Sequence, residues 1–222
     1  IMITLKSARE IEAMDRAGDF LASIHIGLRD LLKPGVDMWE VEEYVRRRCK
    51  EENVLPLQIG VEGSIMDYPY ATCCGLNDEV AHAFPRHYIL KDGDLLKVDM
   101  VLSEPIDKSV LDVSKLDFDN VAQVKKYTES YAGGLADSCW AYAIGTPSDE
   151  VKNLMEVTRE AMYLGIEQAV VGNRIGDIGA AIQEYAESRG YGVVRDLVGH
   201  GVGPTMHEEP MVPNYGVAGR GL

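Results

Sequence analysis

Two of the chain's five histidines, His200 and His207, stand in the run Gly199-His200-Gly201-Val202-Gly203-Pro204-Thr205-Met206-His207-Glu208-Glu209-Pro210. Glycines on both sides of His200 let backbone approach whatever the ring binds and adopt angles that other residues resist. That pattern suits a site built around an ion or a reacting group better than it suits packing. The H-x6-H spacing fits neither the i, i+4 pair of a helical zinc site nor half of a zinc finger. Any partners must come from elsewhere in the chain.

Carboxylates supply the first candidates. Asp94 to Leu102 alternates as a strand, with Leu96, Val98, Met100 and Leu102 on one face and Asp99 on the other. Leu135 to Ala143 reads as a second strand in which Asp137 shares a face with Leu135, Cys139 and Ala141. A buried carboxylate needs a cation, hydrogen-bonding backbone or solvent. Taken singly, each aspartate also reads as a solvent-facing residue. His82 sits among small residues after the apolar and aromatic stretch from Tyr68 to Leu76, and alone it reads as structural as readily as catalytic. Together, two carboxylates and several imidazoles form a ligand set suited to Mn²⁺, Fe²⁺, Co²⁺ or Zn²⁺.

The elements that must position these residues are partly visible. Ser7-Ala8-Arg9-Glu10 is a capping box, followed at helical spacing by Ile11, Met14, Leu21, Ile24, Leu28 and Leu31. Pro34-Gly35 stops that helix, and Asp37 with Glu40 caps a second one carrying Val41, Tyr44 and Val45. Thr146-Pro147-Ser148-Asp149 starts a third, with Val151, Leu154, Met162 and Ile166, before Gly172 interrupts and Ile175, Ile178 and Ile182 follow. Shifted by 137 positions, Gly35 falls on Gly172 and Val41 on Ile178. Such a register is either a coincidence of amphipathic helices or the mark of two similar α+β halves with a site between them. Residues 103 to 130 are polar and mixed in charge, a surface excursion with a short helix expected from Asp119 to Tyr127. It reads as a decorated hairpin or as a partner-binding insert.

Composition narrows the class. A chain of 222 residues, 46% hydrophobic and 26% charged, can bury a substantial core and excludes disordered and collagen-like classes. A net charge of -14 argues against a phosphate-tracking nucleic-acid surface, and the basic run Arg46-Arg47-Arg48 reads as a solvated helix face. Cys49, Cys73, Cys74 and Cys139 form no disulfide ladder, which points to a reducing cytoplasm. No signal peptide or membrane-length apolar run is visible, and Met2 is expected as the natural start, with Ile1 left out of the fold reading.

Asn77-Asp78-Glu79-Val80-Ala81-His82, Leu90-Lys91-Asp92-Gly93-Asp94 leading to Val98-Asp99, the later Asp137, and Gly199-His200-Gly201 followed by His207-Glu208-Glu209-Pro210 resemble the type I methionine aminopeptidases over nearly the whole chain. The resemblance implies the α+β pita-bread fold, with two pseudo-symmetric halves and a curved antiparallel sheet covered by helices. It implies a hydrolase that uses two divalent ions (Co, Mn, Fe or Zn) to remove the initiator methionine from nascent chains whose second residue is small. By that resemblance Asp99, Asp137 and His200 are metal ligands, with Asp137 bridging. His207 and His82 flank the scissile amide as catalytic and substrate-contacting imidazoles, and Tyr68 and Cys73 line a methionine pocket or serve as ordinary core. A cytoplasmic monomer is expected, with the ribosome as a candidate partner and no nucleic-acid or membrane surface. Other pita-bread hydrolases, an X-Pro dipeptidase or a creatinase-like enzyme, and an inactive binding module of the same fold are the alternatives.

Two departures from the family pattern stand out. Asp99 and Asp137 have 37 residues between them, where the family has a tight hairpin, so an insert at 103–130 is expected to project without opening the hairpin. The family also continues past the position of Leu222 through two strands that each supply a glutamate ligand. Without them Asp99, Asp137 and His200 offer two negative charges to four positive ones, so activity is expected to need that segment.

Overall fold

Ser7 accepts the amide of Glu10, whose own carboxylate accepts the amide of Ser7, and this closed box starts α1 (Ala8–Leu31) in the computed structural model, which describes residues 2–222. Ile1 lies outside the described residues. The chain divides into two units. One comprises Lys6–Pro147 with Val202–Met206, and the other comprises the N-terminal residues through Leu5, Ser148–Gly201 and His207–Leu222.

In the first unit α1 is followed by α2 (Trp39–Glu52), β1 (Cys73–Leu76), β2 (Leu95–Ser103), α3 (Val121–Thr128) and β3 (Leu135–Ala143). β2 is the central strand, antiparallel to β1 on one side and β3 on the other. Leu96, Val98, Met100 and Leu102 are buried, as the alternation requires, and α1 packs against β3. The hydrophobic core lies here, built from α1, α2, all three strands and the segment that leads to α3.

Several expectations need revision. Leu21, Ile24 and Leu28 are buried as expected, but Ile11 is exposed, and the N-terminal half of the buried stripe of α1 runs instead through Ala13, Ala17 and Phe20. Small side chains allow the closest approach, so alanines occupy the contact line where a larger residue was expected. Asp37 accepts the amides of Trp39 and Tyr88 and pairs with His87, which ties the start of α2 to the 87–88 segment ahead of β2; no reciprocal bond from Glu40 closes a box. The arginine run is not uniformly solvated. Arg46 bonds Glu42 and Asp119 at 2.7 Å each, and Arg48 bonds Ser23 and Tyr44, leaving Arg47 as the solvated member. The segment after β2 turns its polar residues outward but sends Val113, Leu116, Phe118 and Val124 into the core. Asn53 holds this segment, donating to the carbonyls of Ile106 and Leu111 and accepting from Val113 N.

The second unit pairs α4 (Asp149–Glu167) with α5 (Ile175–Glu187) and adds a short antiparallel ribbon, β4 (Gly199–Gly201) with β5 (Glu208–Val212). Ser148 caps α4 through the amide of Val151. α4 crosses α5 at Gly165, where an added Cβ would come within 2.7 Å of Ile182. The stripe expected on α4 is not its contact face: Leu154, Met162 and Ile166 are exposed, whereas Val157, Ala161 and Gly165 are buried. Gly35 and Gly172 both take the left-handed conformation, at φ 93° and 99°, so both helix pairs turn through the same kind of break.

Candidate active site

The two aspartates come together through strand register. Asp99 lies opposite Cys139 and Val101 opposite Asp137, so Asp99 and Asp137 are diagonal neighbours on one face of β2–β3. Residues in that relation stand roughly 7–8 Å apart, and somewhat closer at Cβ. The opposite face of β3, carrying Ser138, Trp140 and Tyr142, meets α1 through His25. The aspartates lie on the other face, which buries Val101 and Leu135 but leaves Asp137 exposed and Asp99 half-buried. The long segment between the strands leaves the pairing intact from Leu95↔Ala143 to Ser103↔Leu135.

Cys73 lies opposite Asp99 on β1, on the same face. Its thiol is held above the usual range, at about 11, chiefly by burial. Burial, and then Cys73, also raises the Tyr68 hydroxyl, so both groups stay neutral. Tyr68 donates to the carbonyl of Thr72 at 2.8 Å and packs edge-on against Phe84, with ring centroids 5.3 Å apart. Gln58 donates to Cys73 Sγ at 3.5 Å while its buried Oε1 has no hydrogen-bond partner. Sequence reasoning passed over Gln58, because a lone glutamine between apolar residues carries no spacing signal.

His82 follows β1 on a loop that folds back so that Cys74 N donates to Ala83 O at 2.8 Å. Asn77 stiffens the start of this loop through Leu95 and Asp94. The His82 side chain is exposed and its φ is 57°, a left-handed backbone that costs a non-glycine residue on the order of 1 kcal/mol or more. Such strain is found where a side chain must be aimed.

In the second unit, His200 of β4 and His207, just before β5, bring their rings to 4.3 Å between centroids. His200 Nδ1 lies 2.9 Å from the carbonyl of Gly201. A carbonyl only accepts, so Nδ1 is the donor, and in the neutral ring Nε2 is then the coordinating nitrogen. The residues between them, Val202 and Met206, pack against the core of the first unit.

Oxygen and imidazole donors suit a divalent cation by type. The first unit carries two of the expected metal ligands and the second carries one, His200, and among the described residues no group of three or more His, Cys, Asp or Glu could hold a metal ion. The fit is therefore one of donor chemistry and of the paired aspartates, short of a complete coordination shell. Described helices include none long and apolar enough to cross a membrane.

The sequence profile of metallopeptidase family M24 matches residues 12–103 and 126–221, leaving the stretch between them unmatched. The methionine aminopeptidase of Clostridium acetobutylicum is 38% identical over 221 residues, covering 99% of this chain and 76% of its own length. Among solved structures, a methionine aminopeptidase from Streptococci is 89% identical with a TM-score of 0.91, covering all of this chain and 77% of its own. The methionine aminopeptidase of Thermotoga maritima is 34% identical with a TM-score of 0.82, again with 77% of its own chain covered.

Proposed function

Since the chain belongs to metallopeptidase family M24, and within it to the methionine aminopeptidases, we propose that it releases the first residue of peptides beginning with methionine, with Asp99, Asp137 and His200 as metal ligands. It is a metallo-exopeptidase of the pita-bread fold, and its relatives across the whole chain favour this activity over a prolidase or creatinase-like one. The observation that carries the residue assignment is the diagonal pairing of Asp99 with Asp137 on one face of the sheet.

The chain's own groups divide the work. Asp99 and Asp137 supply two negative charges side by side, and His200 offers Nε2 because Gly201 holds its other nitrogen's hydrogen. Divalent ions, when bound, supply a hydroxide near neutral pH and polarise the scissile carbonyl. His207 and His82 donate to the oxygen on which negative charge develops, a role worth about 10²–10³-fold in rate for one donor. Tyr68 and Cys73, both neutral, offer an aromatic edge and a sulfur to the methionine thioether. The reading carries with it a cytoplasmic monomer that acts on nascent chains at the ribosome when the second residue is small, with cobalt, manganese, iron or zinc as the ion.

Replacing Asp137 with Ala in the whole protein tests this assignment. Release of methionine from Met-Ala peptides should fall by at least roughly 10³-fold, the equivalent of about 4 kcal/mol of transition-state stabilisation. An unchanged rate would remove Asp137 from the site.

A further inference from the structure

Glu42 is a fully buried carboxylate on α2 that takes no part in the chemistry above. Its oxygens are saturated. Oε1 accepts from Arg46 Nε and from the amide of Ala71, both at 2.7 Å, and Oε2 accepts from the amide of Thr72 at 3.0 Å and from Thr72 Oγ1 at 2.6 Å. Burying a charge is costly unless it is paired and hydrogen-bonded, so a carboxylate retained here is retained for what it grips. It grips the two residues that lead into β1.

Thr72 is held on every polar group it has. Glu42 takes its amide and hydroxyl, and its carbonyl accepts the hydroxyl of Tyr68 at 2.8 Å. The next residue is Cys73, opposite Asp99. Tyr68 and Cys73 therefore take their places from a backbone segment whose position Glu42 sets. We propose that Glu42 is a positioning residue for the methionine pocket, acting through Thr72 on Tyr68 and Cys73 without touching substrate. The proposal rests on the reading of Tyr68 and Cys73 as that pocket's wall.

Arg46 extends the chain of contacts to Asp119, near the start of α3, at 2.7 Å. The Asp119 side chain is 83% exposed, whereas that of Glu42 is 0% exposed. A solvent-facing pair contributes little, so the grip comes from the Glu42 end.

The test is steady-state kinetics of the whole enzyme on Met-Ala and Leu-Ala peptides. Glu42→Gln keeps the volume but turns one acceptor oxygen into a donor that faces other donors. KM for the methionine substrate should rise about tenfold and the preference for methionine over leucine should fall about tenfold, with kcat changed by less than about threefold. Thr72→Val, which removes only the hydroxyl, should move both quantities the same way by about threefold. Asp119→Asn should leave both unchanged. Wild-type KM and preference in folded Glu42→Gln overturn the proposal; if that variant does not fold, the same result in Thr72→Val does so. Tyr68→Ala separates the two readings. If it erodes the methionine preference while Glu42→Gln and Thr72→Val do not, the proposal fails alone; if it leaves the preference intact, the pocket reading falls and takes the proposal with it.

Discussion

α1 and α2 flank Gly35 as α4 and α5 flank Gly172, with the same left-handed break between them, yet the two helix pairs are embedded very differently. Behind the first pair stand two nine-residue strands, and the buried hydrophobic cluster draws on all of these elements. In the second unit the strands have three and five residues, and among the described residues the buried apolar side chains are Val157, Ala161 and Ala186. Met162, Ile166, Val170 and Val171 are exposed there. A repeated local pattern therefore fixes the turn geometry but not the burial, which differs between the two units within residues 2–222. The proposed carboxylate ligands and His82 stand on the well-buried unit, and His200 and His207 stand on the lightly buried one.

That contrast can be broken by experiment. Met100→Ala and Leu102→Ala, both wholly buried on β2, should each destabilise the protein by about 2–5 kcal/mol, measured by denaturant unfolding. Ile166→Ala, at an exposed position on α4, should stay within about 0.5 kcal/mol; equal costs would erase the distinction between the units.

A second difference lies in pH response. His25 is buried between Tyr142 Oη at 2.7 Å and Ser138 Oγ at 3.1 Å, with its ring stacked on Trp140. Tyr142 donates to the backbone carbonyl of His25, so its oxygen accepts from Nδ1–H, and Nε2 accepts from Ser138. Burial first, and then the charge of Arg29, lowers the His25 pKa to about 4. The unfolded chain takes up that proton near pH 6.5, so this contribution is complete above about 6.5 and is lost as the pH falls towards about 4. The loss is at most about 3 kcal/mol. His25→Gln should flatten the stability–pH curve across that window, and an unaltered slope would assign the acid sensitivity to other groups.

The smallest effect sharpens the parallel between the helix pairs. Gly35→Ala and Gly172→Ala each force a side chain into φ near 90° with open space around it, and each should cost about 1 kcal/mol. Clearly unequal costs would mean that the two breaks are only superficially alike.

Much of this was legible in the residues. The Ser7–Glu10 box, the Ser148 cap and both aspartate strands follow from local rules, because capping and alternation are properties of neighbours in sequence. What escaped is what depends on partners far along the chain. Arg46 looked solvated because its i−4 neighbour Glu42 gives no sign of being buried and Asp119 cannot be assigned to it from spacing. Val113 and Phe118 were hidden in a polar stretch with no period, and Ile11 matched a helical stripe whose contact line is set by Ala13 and Ala17. For the site, the residue types were legible and the Asp99–Asp137 adjacency could be anticipated, but Gln58, Glu42 and the tautomer-setting carbonyl of Gly201 could not.

The register of β2 against β3 carries a rule of parity. Side chains alternate across the sheet, so Asp99 and Asp137 share a face only because each strand keeps its phase. Residues can be gained or lost between Glu104 and Gly134 in any number, odd or even, as long as both strands re-enter the ladder in phase. A single residue added inside β3 ahead of Asp137 would exchange it with the neighbours that face α1 and send its carboxylate towards His25. The loop is thus open to evolutionary embellishment of arbitrary length, whereas the strands beside it tolerate change only in steps of two.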